Sequence, residues 1–384
     1  MKLKLALPLS ILLLLAVVAV FTGSRLFMLL AVLAALVIVG AVAGVLWASS
    51  TLSAEGELSA DAAHRGEDLL LTVRLRHRGL IPVAPLLLEI GDPSILRDRE
   101  IRLRNLPHRL QSLRLPIHAA HVGVMQVGLR SCTVEDLLGI ASRRVTLPDT
   151  AFELLVLPRT FDTEPLTLAP GDPGSEIMAR ATEDLNAPSD VRSYQPGDAM
   201  KKIHWKLSLR KGELIVRRFD EPILQDVLIL LDCSRPPALG QPQAEADMRD
   251  ALLETAASIL RDQAKSDHQF RLPLQGDHPM DVDSSMGLPM ALDYLARVDF
   301  TATDRFERVL SMESRRLRKV GCVVVISARL TIPMVDLMTR IHRAGPNLRF
   351  YPVTFTPEDG ALTPLLSRLK QSGIEVTPVT PEPA

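Results

Sequence analysis

The run Asp232-Cys233-Ser234-Arg235-Pro236 closes an apolar stretch and is the first place where residue types suggest chemistry. A carboxylate with a hydroxyl two residues on offers hard oxygen ligands of the kind Mg²⁺ takes. Arg235 and Pro236 add no such ligand, so Asp232 reads instead as a turn or capping residue. Cys233 would need a base to act as a nucleophile; no partner histidine is identifiable, and a buried thiol is expected. His118 and His121 lie three apart, which on a strand sends them to opposite faces. Asp281, Asp283 and Ser285 begin like a calcium loop, yet Met286 stands where the turn glycine belongs and Leu292 where the closing glutamate belongs. The P-loop, HExxH and GxSxG patterns do not occur, so ATP hydrolysis, zinc proteolysis and α/β-hydrolase chemistry lack their usual handles. No catalytic residue is assigned.

Something must position these groups, and the 384 residues are too many for one ordinary core, so two or three domains are expected. Lys plus Arg number 44 against 45 Asp plus Glu, a balance that gives no overall basic field for nucleic acid. Aromatics make up only 4%, which also disfavours a base-stacking platform. Three cysteines with no CxxC pair form no disulfide framework and no zinc site.

Residues 5–21 are apolar except for Ser10, and residues 26–47 carry no charge. Both read as membrane spans in contact with lipid, and the four residues between them allow only a tight hairpin. Lys2 and Lys4 put the N-terminus in the cytoplasm, and two crossings return the chain there. The expectation is a multi-pass protein of the cell inner membrane with its soluble domains facing the cytoplasm. A cleaved signal peptide is the rival reading of residues 5–21.

Residues 50–159 show short alternating strands punctuated by Gly and Pro, the pattern of a small β-sandwich. Residues 160–188 have no period and read as a linker. From 223 to 376 strands alternate with helices: 226–231, 268–274, 320–326, 348–353 and 374–376 as strands, 248–264, 286–298, 332–343 and 362–371 as helices. This implies a doubly wound α/β domain. Residues 377–384, with three prolines, are expected to be disordered.

Between linker and α/β domain, residues 189–222 form a unit of their own. Pro196 and Gly197 suggest a turn, Asp198 a cap for a helix reaching Arg210, and Gly212 its left-handed stop. Lys201, Lys202, Lys206, Arg210, Lys211, Arg217 and Arg218 make the stretch basic. It suits an acidic partner or anionic lipid, and ordinary solvation explains it equally well. Nucleic acid is disfavoured, because Tyr194 and Trp205 are too few aromatics.

The run Arg192-x-Tyr194-x-Pro196-Gly197-Asp198, followed by Ile203-His204-Trp205 and Glu213-Leu214-x-Val216-Arg217, resembles the signature of the bacterial domain of unknown function 58 family. The resemblance implies two N-terminal spans, a β region and a C-terminal domain like von Willebrand factor A, often in the company of a MoxR-type AAA+ ATPase. It also suggests that Arg192, Tyr194, Pro196, Gly197, Asp198, Trp205 and Arg217 bind a partner or hold the motif. A metal-competent von Willebrand A-type site presents Asp-x-Ser-x-Ser and a later aspartate. Here Pro236 takes the place of the second serine, and Ser327 is followed by Ala328 and Arg329, whose charge would repel a cation. The expectation is therefore a non-catalytic, membrane-anchored adaptor without a cofactor. The alternatives are a cell-envelope enzyme or Mg²⁺-dependent binding protein using Asp232 and Ser234, and an anionic-lipid or nucleic-acid binder through residues 201–218.

Overall fold

The computed structural model describes residues 2–4, 6–77, 86–91, 99–103, 111–146, 150–168, 190–195, 203–218, 226–237, 241–275, 279–301, 305–317 and 320–383. They form two compact units, one of residues 1–159 with 295–297 and 383–384, the other of 160–294 and 298–382.

The first unit opens with β1 (Lys2–Leu3), α1 (Ala6–Thr22) and α2 (Arg25–Thr51). Gly23 turns the chain between the helices at φ +59, a conformation that costs other residues about 1 kcal/mol. Helix α2 has 27 residues, a mean hydropathy of 3.0 over its most apolar stretch and no burial there, so it is long and apolar enough to cross a bilayer. Of the two expected spans, only this one meets that test; α1 has 17 residues. Ten strands build the rest of the unit: β1, then β2 (Leu52–Leu58), β3 (Ala62–His64), β4 (Asp68–His77), β5 (Leu86–Gly91), β6 (Arg99–Leu103), β7 (Gln111–His118), β8 (Gly123–Glu135), β9 (Ala141–Val145) and β10 (Ala151–Leu157). Strands β2, β4 and β7 make one antiparallel sheet and the other seven make a second. In β4 every second side chain is buried, and Leu71, Val73 and Leu75 share a core with Leu86, Leu88 and Ile90 of β5 and Leu129, Leu154 and Val156 of β8 and β10. Each fully buried aliphatic side chain contributes about 2 kcal/mol. Gly128 is required where β8 meets β10, because a β-carbon there would lie 2.0 Å from the Thr150 carbonyl oxygen. Residues 2–3, which sequence suggested only as charge beside the membrane, pair with Ala141 and Ser142 of β9.

The second unit contains β11 (Asp190–Ser193), α3 (Trp205–Lys211), β12 (Ile215–Arg218), β13 (Asp226–Leu231), α4 (Pro242–Lys265), β14 (Phe270–Leu274), β15 (Met280–Asp283), α5 (Leu288–Ala296), α6 (Phe306–Glu313), β16 (Val320–Ser327), α7 (Ile332–Arg343), β17 (Asn347–Pro352), α8 (Thr363–Gln371) and β18 (Glu375–Val376). The six-stranded sheet runs β15-β14-β13-β16-β17-β18, with only β15 antiparallel to its neighbour. Counted from β13, the order is 3-2-1-4-5-6, so the winding reverses between β13 and β16. Those two central strands are buried almost throughout, as parallel strands covered on both faces are. On one face Leu228, Leu230, Val323 and Val325 pack with Leu310 of α6, Val335 and Met338 of α7, and Leu369 of α8.

Two segments differ from the sequence reading. Residues 160–168, expected as part of a loose linker, form a strap fastened to the second unit. Arg261 of α4 donates to Thr160 Oγ1 (3.1 Å), the Phe161 carbonyl (3.0 Å) and Asp162 (2.9 Å). Asp262 accepts from Thr163 N–H (3.2 Å) and Oγ1 (2.6 Å), and Arg349 and Asn347 of β17 hold the Glu164 and Thr167 carbonyls at 3.0 and 2.8 Å. Residues 169–188 of the expected linker lie outside the described residues. The tail, expected to be disordered, continues alongside β17: Val379 N–H donates to the Pro352 carbonyl (2.9 Å) and Thr354 N–H to the Val379 carbonyl (3.0 Å).

Candidate functional site

The C-terminal ends of β13 and β16 meet where the strand order reverses, the place at which open α/β sheets bind their ligands. Asp232 directly follows β13, and its N–H donates to the Ile326 carbonyl (2.9 Å), which sets it beside Ser327 at the end of β16. The side chain is almost wholly enclosed, at 2% exposure. Its Oδ1 accepts from Ser234 N–H (3.1 Å) and from the Ser234 hydroxyl, which closes the tight turn expected of this residue. Its Oδ2 accepts from Ser327 Oγ at 2.7 Å. A buried carboxylate left with fewer donors would cost several kcal/mol, so these hydroxyls are what permit it here.

Arg329 supplies the positive charge. Its Nε lies 3.9 Å from Asp232 Oδ2, its Nη2 donates to the Arg235 carbonyl, and its side chain remains 45% exposed. Arg235 is held by a two-pronged bond to Glu245 in the first turn of α4 (2.7 and 3.0 Å), and that bond holds the Glu245 carboxyl below its ordinary range. The rim continues into α7, where Thr331 caps the helix through Met334 N–H (3.3 Å) and Ile332 is exposed. Asp232, Ser234 and Ser327 thus bring four side-chain oxygens together, but an arginine already stands against the carboxylate. Pro236 adds no oxygen. Ser327 and Arg329 were visible in sequence only as a departure from a metal pattern; their role as donor and counter-ion depends on β13 and β16 being neighbours.

The cysteines bring no reactivity. Burial pushes the Cys233 thiol up to about 11 and Cys132 and Cys322 up to about 12. The Cys233 thiol donates to the Leu231 carbonyl at 3.6 Å. His118 is occupied by Asp68 at 2.8 Å. Asp283 accepts from Ser285 N–H (2.9 Å) and caps a short turn.

The motif segment folds as a strand, a short helix and a strand. Strands β11 and β12 pair antiparallel, with Arg192 opposite Val216 and Val191 opposite Arg217. Tyr194 N–H donates to the Leu214 carbonyl at 2.8 Å. Pro196, Gly197 and Asp198 lie outside the described residues, as do Lys201 and Lys202. Ile203 bridges to Val216, α3 begins at Trp205, and His204 caps it, accepting from Leu207 N–H at 3.3 Å. Gly212 ends it at φ +74, as anticipated. Ser208, not singled out in sequence, is buried and fastens the helix: its Oγ accepts from Ile215 N–H (2.9 Å) and donates to the His204 carbonyl (3.0 Å). Trp205 does not pack inside; it is 58% exposed.

Known proteins were compared with this chain. Residues 190–349 match the family described as "Protein of unknown function DUF58". An uncharacterised protein, YeaD, from Bacillus subtilis (strain 168) is 24% identical over 226 residues, which cover 56% of this chain and 54% of that relative. The chain thus aligns with about half of that relative's length. Among solved structures, the CARDB domain of the PF1109 protein from Pyrococcus furiosus superposes with a TM-score of 0.20 at 14% identity, over 28% of this chain and 87% of that one. Spo0M from Bacillus subtilis gives a TM-score of 0.18 at 14% identity, over 38% and 58%. Both superpositions are too slight to assign a fold or a ligand. Residues 190–349, less than half of the chain, are thus similar to the DUF58 family, whose description assigns no activity.

Proposed function

We propose that this chain is a non-catalytic adaptor, anchored in the cell inner membrane, whose second unit recognises a protein partner from the cytoplasmic side. The observation that carries the reading is the state of Asp232: enclosed, hydrogen-bonded by Ser234 and Ser327 and faced by Arg329, at the place where such sheets bind ligands. The groups left outward include the Arg329 guanidinium and Ile332, an arginine and an apolar side chain three residues apart, which suits contact with a protein carrying an acidic residue. The strand order, with its antiparallel edge strand, supports a von Willebrand A-like reading of this unit. The partner class, a MoxR-type AAA+ ATPase, comes from the family resemblance.

A two-pass anchor is supported by the strands that flank the helices. β1, before α1, pairs with β9, and β2, after α2, lies in the other sheet of the same unit. If α2 crosses a membrane, α1 must cross back for both ends to reach one unit, and its 17 residues, apolar but for Ser10 and Thr22, are just enough.

The test is binding of purified full-length protein in detergent to a purified MoxR-type ATPase. Arg329→Glu and Ile332→Ser should each weaken binding at least about tenfold, equivalent to about 1.4 kcal/mol, and Ile332→Ser should do so with the melting temperature unchanged. Unchanged binding in both variants would remove the strand-end rim from the interface.

A further inference from the structure

Helix α3 exposes an apolar and a cationic stripe side by side. Trp205 and Leu209 lie one turn apart and are 58% and 83% exposed, and Leu214 beyond Gly212 is 45% exposed. Lys206 and Arg210, also one turn apart, are exposed on the adjoining stripe, and Lys211 ends the helix. Leu207 is half-buried and Ser208 is buried on β12, which fixes the helix in place and leaves Lys211 exposed at its end. Exposed large apolar side chains bordered by charge mark a contact surface. A tryptophan, two leucines and three cations are the residues that settle at the headgroup level of an anionic bilayer. The same chain carries a helix long and apolar enough to cross a membrane, so a bilayer surface is a partner present at high effective concentration.

We infer that the α3 face, Trp205, Leu209 and Leu214 with Lys206, Arg210 and Lys211, docks onto the anionic lipid surface of the membrane in which the chain is anchored. Trp205 and the leucines enter the interface, and the three cations sit among lipid phosphates. The inference rests on the membrane anchor proposed above, but not on the strand-end rim or its protein partner.

The chain has two tryptophans, so Trp47→Phe leaves Trp205 as the only emitter. The full-length variant is reconstituted into phosphatidylcholine bilayers with and without phosphatidylglycerol, and into matching bilayers whose acyl chains carry bromine. In phosphatidylglycerol bilayers Trp205 emission should be blue-shifted and quenched by bromine. Both effects should disappear without the anionic lipid, in high salt, and in Lys206→Glu/Arg210→Glu/Lys211→Glu, since each cation near such a surface is worth about a fivefold change in binding. The lipid and salt arms use one unaltered fold, so they decide the matter even if the triple variant misfolds. Solvent-like, unquenched emission in every bilayer overturns the inference. So does a shift that appears only when soluble protein is added, which would assign the face to a protein instead. Failure of the chain to float with either bilayer would overturn the anchor, and the docking inference with it.

Discussion

Among single residues, the arrangement around Asp232 is the observation on which the proposed recognition role rests. A carboxylate in an enclosed site needs either a cation or a full set of donors, and Ser234, Ser327 and Arg329 supply both. Ser327→Ala removes the 2.7 Å bond to Oδ2 and should cost about 2 kcal/mol, read as a lower urea midpoint with unchanged slope. Arg329→Ser removes the internal counter-ion while keeping the four side-chain oxygens of Asp232, Ser234 and Ser327. Mg²⁺ affinity, followed by calorimetric titration, should then rise about tenfold over the unaltered protein. Equal affinity in the two would mean that Arg329 does not screen the site. The thiols make a third prediction: with pKa values raised to about 11 and 12 they stay protonated at neutral pH. A thiol reagent should therefore label the folded protein negligibly and label it fully once denatured. Rapid labelling of the native state would contradict the assignment of inert thiols.

At the scale of elements, the strap of residues 160–168 shows how a segment without periodicity can still be ordered. Burial alone would raise the Asp262 carboxyl, but the bonds from Thr163 and Arg261 outweigh it and hold the group below its ordinary range. A carboxyl depressed in the folded state contributes stability above its unfolded pKa and loses it as pH falls through the folded value. Acid should therefore release the strap, seen as faster amide exchange at 161–163 below the ordinary carboxylate range. Asp262→Asn should show that faster exchange already at neutral pH. Strap exchange that ignores both pH and the substitution would refute the latch. None of this was legible in sequence, because the strap is held by backbone carbonyls and scattered polar side chains. By contrast α7 was read with its bounds intact, since Met334, Val335, Met338 and Ile341 recur at helical spacing on one buried face. Strand β15 was missed because Met280-Asp281-Val282-Asp283 buries only Val282. The start of α3 at Trp205 was not legible, because it follows from the bridge between Ile203 and Val216, a residue further along the chain.

At the scale of the whole molecule, the sequence made the division legible: an apolar start, a β unit and an α/β unit. It could not show that both ends of the helix pair return to one β unit, because that depends on a two-residue strand pairing with β9. A charge placed in the middle of α2 tests the anchor: Leu36→Arg should cost about 3 kcal/mol of insertion and move the protein out of the membrane fraction. We propose that a membrane-held unit recognises a protein through the rim at Arg329 and Ile332, without turnover. Photo-crosslinking from position 332 of the full-length protein in native membranes tests this recognition. One discrete crosslinked protein is expected, lost on Arg329→Glu and retained on Lys206→Glu. A crosslink to no protein at all, or one indifferent to Arg329→Glu, would contradict it.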